Sequence, residues 1–215
     1  MTLVSPLRVI AITDTQRAPI DLWLTQLGHL AAAAVPGSVQ VLLRDRQLDI
    51  RDRQRFGQLL RILTREHGQL LSVSDRLDLA VLLGADAVHL SGASVTVEDA
   101  RAFGQQHRQK WQITAACHAP DDVARSRADA LLLSPIAEPR KGRAALGARG
   151  LAAAQAARRD RPAELGPCSV YALGGVTRRN AAELVEAGAD GVALIGDLLN
   201  ADAPSALLDA LGLRR

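Results

Sequence analysis

Three times this chain repeats one short phrase: Gly84-Ala-Asp-Ala-Val-His-Leu90, Arg127-Ala-Asp-Ala-Leu-Leu-Leu133 and Gly188-Ala-Asp-Gly-Val-Ala-Leu194. Each copy reads as a helix end, a tight turn and a short strand buried on both faces. The spacing between copies suits two strand–helix units each, so the copies predict the fourth, sixth and eighth strands of a chain that alternates strand and helix throughout. A length of 215 residues suits a complete (β/α)₈ barrel at the small end of its range, one domain over residues 1–215. Hydrophobic residues make up 48% and aromatics only 2%, so Leu, Val, Ile and Ala must fill the core, as in a parallel sheet covered on both faces.

The remaining elements fall between these landmarks. Leu7 to Ile12, Val39 to Leu43, Gln69 to Val73 and Gln112 to Cys117 are the expected strands 1, 2, 3 and 5, and Ser169 to Leu173 is strand 7. Helices are expected over Ile20 to Val35, Ile50 to His67, Asp75 to Leu83, Thr96 to His107, Pro120 to Arg127 and Ala148 to Arg161, with a last helix broken near Pro204. An open, doubly wound sheet is the rival architecture, but no Gly-x-Gly-x-x-Gly follows any strand.

Tyr171 to Gly196 carries the first functional signal. It reads as strand, Gly174-Gly175 turn, helix, and a strand Val192 to Ile195 that ends at Gly196. Two neighbouring βα turns with bare glycine backbone are a phosphate site of barrels, at the loops after strands 7 and 8; the same glycines would also serve as plain tight turns. Thr177 or Asn180 would cap the helix between them. Between strand 6 and its helix, Ser134 to Leu146 carries Arg140, Lys141 and Arg143 at a strand's carboxyl end, where barrel active sites lie, and reads as a mobile basic lid.

Charge excludes other classes. The net charge is +3 and the pI about 9.4, yet only Lys110 and Lys141 are lysine and the arginines are scattered among 23 acids. With hardly any aromatics to stack bases, no nucleic-acid partner is expected. Cys117 and Cys168 offer neither metal spacing nor a disulfide framework, and no run reaches the length of a membrane span, so the cytoplasm is the expected compartment.

Several strand ends, taken together, resemble the thiamine phosphate synthase and TenI family of barrel enzymes. They are Leu43-Arg44-Asp45-Arg46, Val73-Ser-Asp-Arg-Leu-Asp-Leu-Ala80, Gly84 to Leu90, His118, Ser134-Pro-Ile136 with Lys141, Ala172-Leu-Gly-Gly-Val176 and Gly188 to Val192. The resemblance implies that Gly174 and Gly175 and the Ile195-Gly196 amides hold a thiazole phosphate, and that members often pair as dimers. For a synthase it implies Mg²⁺ on two aspartates and a Gln-x-Arg-x-Lys strand end, where a pyrimidine diphosphate is joined to the thiazole nitrogen.

Here Asp75 stands at the first metal position, but Ser94 replaces the second aspartate, Leu42 the glutamine, Arg46 the lysine, Ser74 an asparagine and Ala116 a serine. Ala137 to Arg140 replaces a Thr-rich stretch. These losses favour the other activity of the family, a metal-independent TenI-like thiazole tautomerase in which His118 moves a proton, since an imidazole of pKa about 6.5 both takes and returns one at neutral pH. A divergent Mg²⁺-dependent synthase is the alternative, and a non-catalytic binder of the phosphate a third. Asp75 alternatively starts a helix, His118 alternatively caps a loop, and Arg44 and Arg46 either bind a phosphate or carboxylate or pair with Asp45, Asp49 or Asp75.

Overall fold

A computed structural model describes residues 7–140 and 142–215. Eight parallel strands close on themselves in sequence order: β1 Val9–Ile12, β2 Val39–Leu43, β3 Leu70–Ser74, β4 Ala87–Leu90, β5 Gln112–Cys117, β6 Ala130–Leu133, β7 Ser169–Leu173 and β8 Gly191–Leu194. The helices are α1 Ile20–Ala33, α2 Ile50–Glu66, α3 Leu77–Leu82, α4 Val97–Gln106, α5 Gly147–Arg159, α6 Ala181–Glu186 and α7 Ala203–Leu211. The fold is a (β/α)₈ barrel, as the alternation of elements predicts.

Each strand buries both faces, which is why the strands read as unbroken apolar runs. One set of side chains, with Ile10, Ile12, Leu42, Leu132, Tyr171 and Ala193, forms the barrel's own core. The alternate set, with Val41, Leu71, Val88, Leu131, Val170 and Val192, meets Trp23, Leu27, Phe56 and Leu60 in the larger core between strands and helices. Closure of β8 on β1 brings the Arg8 carbonyl to 2.3 Å from where a Cβ on Gly191 would stand, so only glycine fits the third copy of the repeated phrase.

The three repeated aspartates explain why the phrase recurs. Asp86 accepts the Leu71 amide at 2.8 Å, Asp129 the Ile113 amide at 2.7 Å and Asp190 the Val170 amide at 2.7 Å. In each case the aspartate's own amide donates to the carbonyl of that same residue. An arginine from the helix that precedes the odd strand completes each staple: Arg61 of α2 on Asp86, Arg101 of α4 on Asp129 and Arg158 of α5 on Asp190. The repeated aspartates thus tie the starts of β4, β6 and β8 to β3, β5 and β7 on the floor of the barrel, opposite the mouth.

Four expectations need correction. No α-helix follows β5: Pro120 opens a single 3₁₀ turn, Pro120–Ala124, which buries Val123 and packs against α5 in place of a longer helix. Pro204 does not break the last helix but opens it, in the first turn of α7, where a proline lacks no bond. Asp75 does not cap α3; it has φ +62° and Arg76 is the capping residue. Asn180 flanks α6 without a side-chain cap bond, and its side chain pins the glycine turn instead.

The segment Ser134 to Leu146 is anchored at its stem. Ile136 and Ala137 donate to the carbonyls of Leu173 and Gly174, Leu146 donates to Pro135, and Ile136 is fully buried. Its exposed part, from Ala137 onward, crosses the mouth beside β7. Lys141 lies outside the described residues.

Candidate active site

The carboxyl ends of β7 and β8 make one half of the mouth from backbone. Gly174 and Gly175 have φ of 97° and 70°. Asn180 accepts from the Thr177 amide at 2.8 Å and donates to the Gly175 carbonyl at 3.0 Å. Asp197, from the turn after β8, accepts both the amide and the guanidinium of Arg178 at 2.7 Å, which locks the two turns to each other. These bonds use the Thr177 and Arg178 amides.

A cavity of about 330 Å³ is lined by Gly174 to Thr177 and by Ile195 to Asp197. Arg17 and Arg140 reach its wall; a Cβ on Gly196 would stand 3.1 Å from the Arg17 guanidinium. Glu138 closes it from above, its amide 2.7 Å from the place of a Cβ on Gly175.

The other half is built from side chains of β1 to β5, around a cavity of about 450 Å³ lined by Asp14, Arg44, Arg46, His89, Ser91 and His118 among others. Leu173 and Ile195 line both cavities, and a third, of about 170 Å³, carries His118, Arg44, Arg140 and Gly174. The mouth is therefore continuous from His118 to the glycine turns.

Ionic pairs organise this half. Arg44 donates to Asp14 at 2.9 Å, and Arg17 to the same carboxylate at 3.3 Å. Arg46 pairs with Asp75, whose second oxygen accepts the Ser91 amide at 2.9 Å and whose first also accepts the Ser74 hydroxyl at 2.8 Å. Burial raises the cost of ionising Asp75, but the Ser91 and Ser74 hydrogen bonds and the Arg46 charge outweigh it and hold the carboxyl below its usual range. Asp45 takes neither arginine: it turns inward onto Thr13 and the Thr15 amide and fixes the loop after β1. Arg53 of α2 is buried and donates to the Ser74 carbonyl at 2.8 Å, steadying the end of β3.

Two histidines face the mouth differently. His118 is exposed, and its Nδ1 lies 2.8 Å from the Ser134 carbonyl. A carbonyl only accepts, so Nδ1 carries a proton, and in the neutral ring the lone pair lies on Nε2. His89 is buried with Nδ1 2.9 Å from the Thr114 hydroxyl, and burial pushes its pKa down to about 4, only partly opposed by Asp75, so it stays neutral at physiological pH. Cys117 and Cys168 are buried thiols with pKa pushed up to about 11 by burial, unsuited to nucleophilic work.

The model for the family described as thiamine monophosphate synthase matches residues 9–198. The chain belongs to that family. It is 35% identical to the thiamine-phosphate synthase of Natronomonas pharaonis over 82% of this chain and 81% of the relative. Identity is 37% to that of Methanoculleus marisnigri, over 80% and 78%, and 34% to that of Thermus thermophilus, over 83% and 84%. A solved thiamine phosphate pyrophosphorylase from Pyrococcus furiosus superposes with a TM-score of 0.79 over 98% of both chains at 24% identity, which shows the shared fold.

Of the residues singled out in the sequence, the mouth collects Arg44, Arg46, His118, Gly174, Gly175, Ile195 and Gly196, with Asp75 behind Arg46. The sequence reading missed Arg17, Asp14 and Glu138. A charged residue in a loop directly after a barrel strand was the available signal for Asp14 and Arg17. The magnesium that the synthase resemblance implies meets an ill-suited donor set. Mg²⁺ takes oxygen ligands, usually one or two carboxylates beside phosphates. Asp75 is already filled by Arg46, Ser74 and Ser91, Ser94 brings no charge, and among the described residues no group of three His, Cys, Asp or Glu side chains could hold a metal ion. The residues do not fit a two-carboxylate magnesium site. Among the described residues no helix is long and apolar enough to cross a membrane.

Proposed function

We propose that this chain is a thiamine-phosphate synthase that takes a thiazole phosphate at the β7–β8 turns and a pyrimidine diphosphate at the arginine-lined half. One observation carries the reading: the two glycine turns and the arginine-lined half open onto one continuous mouth, wide enough for two substrates side by side. The phosphate would rest on the Gly175 and Gly196 amides with the Arg17 guanidinium at its flank, a backbone cradle plus one fork-shaped cation. Leu173 and Ile195, on the boundary between the cavities, would place the thiazole ring against the pyrimidine methylene. The pyrimidine C–O bond breaks with its electron pair leaving on diphosphate, the thiazole nitrogen lone pair forms the new C–N bond, and inorganic diphosphate is released. The names of the relatives support this reaction over the tautomerase that the departures at Leu42 and Ser94 favour in the sequence.

The tautomerase stands as a second reading because of His118, whose free Nε2 faces the same mouth beside Gly174. In that reaction Nε2 takes a proton from the ring carbon of a thiazole carboxylate and returns one elsewhere on the molecule, with no net gain or loss. Purified protein given thiazole phosphate and the pyrimidine diphosphate is expected to form thiamine phosphate and an equal amount of diphosphate. Absence of product, together with aromatisation of the thiazole carboxylate that His118→Gln abolishes, would reverse the order of the two readings. If neither reaction runs while thiazole phosphate still raises the melting temperature, the protein is a binder only.

A further inference from the structure

We infer that the diphosphate end of this mouth is a guanidinium site: Arg46, oriented by Asp75, together with Arg44, oriented by Asp14, takes the charge of a diphosphate directly and without a divalent metal. The argument starts from Asp75. Its left-handed backbone, φ +62°, turns the carboxylate back toward Ser74 and Ser91, and both oxygens are spoken for by the Ser91 amide, the Ser74 hydroxyl and the Arg46 guanidinium. A carboxylate held in this way is an anchor for a cation that is already part of the chain.

Arg46 commits one nitrogen, Nη2, to Asp75 and to the Ser74 hydroxyl at 3.4 Å. A guanidinium has five N–H donors, so its remaining edge faces outward, and the side chain is half exposed at the mouth. Arg44 repeats the arrangement, with Nη2 on Asp14. Two guanidinium forks, each held by a carboxylate, line the same cavity, and Arg for Lys at position 46 supplies the planar group suited to bidentate phosphate recognition. Ser94, a neutral hydroxyl where the family pattern has its second aspartate, removes the other carboxylate on which a metal would depend.

The inference rests on the synthase reading only for the identity of the anion, and its test uses inorganic diphosphate and no turnover. Calorimetric titration of diphosphate into the full chain is expected to show binding in EDTA and no gain in affinity when excess Mg²⁺, which itself chelates diphosphate, replaces the EDTA. Arg46→Met is expected to weaken binding at least about tenfold, Arg46→Lys to fall between, and Asp75→Asn to cost about threefold, because it loosens Arg46 without removing it. Melting temperatures of the variants check that each is folded. Binding that disappears in EDTA, or a loss in Asp75→Asn as large as in Arg46→Met, would overturn the inference. Metal-free binding by a protein that makes no thiamine phosphate would uphold it while removing the proposed reaction.

Discussion

The two halves of the mouth are made of different material. At β7 and β8 the lining is backbone: two glycine turns, held by Asn180 and Asp197, with Arg17 at the edge. At β2 to β4 the lining is side chains: Arg44 and Arg46 on their carboxylate anchors, with neutral His89 behind them. A backbone site changes only when the turn itself is lost, whereas a side-chain site is rewritten by single substitutions. Here the glycine turns themselves match the family resemblance, while the departures are all side chains: Leu42, Arg46, Ser74 and Ser94 on the other half, and Ala137 to Arg140 over the glycine cavity, where Glu138 and Arg140 line the wall.

The strongest way to break this comparison is Gly175→Ala. A Cβ there meets the Glu138 amide at 2.7 Å on a backbone at φ +70°. Strain of about 1–3 kcal/mol plus displacement of the lid segment should weaken thiazole phosphate about a hundredfold, while diphosphate affinity stays the same. Calorimetry with each ligand decides; a joint loss of both would mean that the halves are one site.

Asp86→Ala tests whether either half depends on the barrel floor. Leaving Arg61 and the Leu71 amide without their acceptor should cost about 2–3 kcal/mol in urea unfolding, with the ratio of the two ligand affinities unchanged. A change in that ratio would tie floor to mouth.

His89 sharpens the comparison through pH. Its folded pKa of about 4 lies below the unfolded value near 6.5, so the unfolded chain binds the extra proton and stability is full above about pH 6.5, falls as pH drops toward 4, and levels off below. Between pH 7.5 and 4.5 the wild type should lose about 2–3 kcal/mol more than His89→Leu. Equal losses would show that His89 is not held neutral by the fold.

Arg17→Gln is the smallest effect. With the backbone cradle intact, loss of one flanking cation should weaken thiazole phosphate about tenfold and leave diphosphate binding alone, read in the same titrations.

Much of the fold was legible in the chain. The repeated Ala-Asp phrase marked β4, β6 and β8, because each copy must staple a neighbouring strand and enter the sheet within a few residues. The glycine turns were legible for a related reason, since positive φ at Gly174 and Gly175 restricts the residue type. The short turn after β5 was not, because helical spacing over Pro120 to Arg127 is local while the packing of that turn against α5 is not.

Alone, then, the sequence determined the eightfold alternation, the place of closure and the bare backbone at β7 and β8, all of which depend on residue type within a few positions. Only the tertiary structure decided which cation meets which anion. Arg44 chose Asp14 over Asp45, Asp45 turned inward to Thr13, and Arg46 took the carboxylate of Asp75. Charges scattered along a chain have many possible partners of similar energy, and closure of the barrel brings only a few of them within a hydrogen bond's reach.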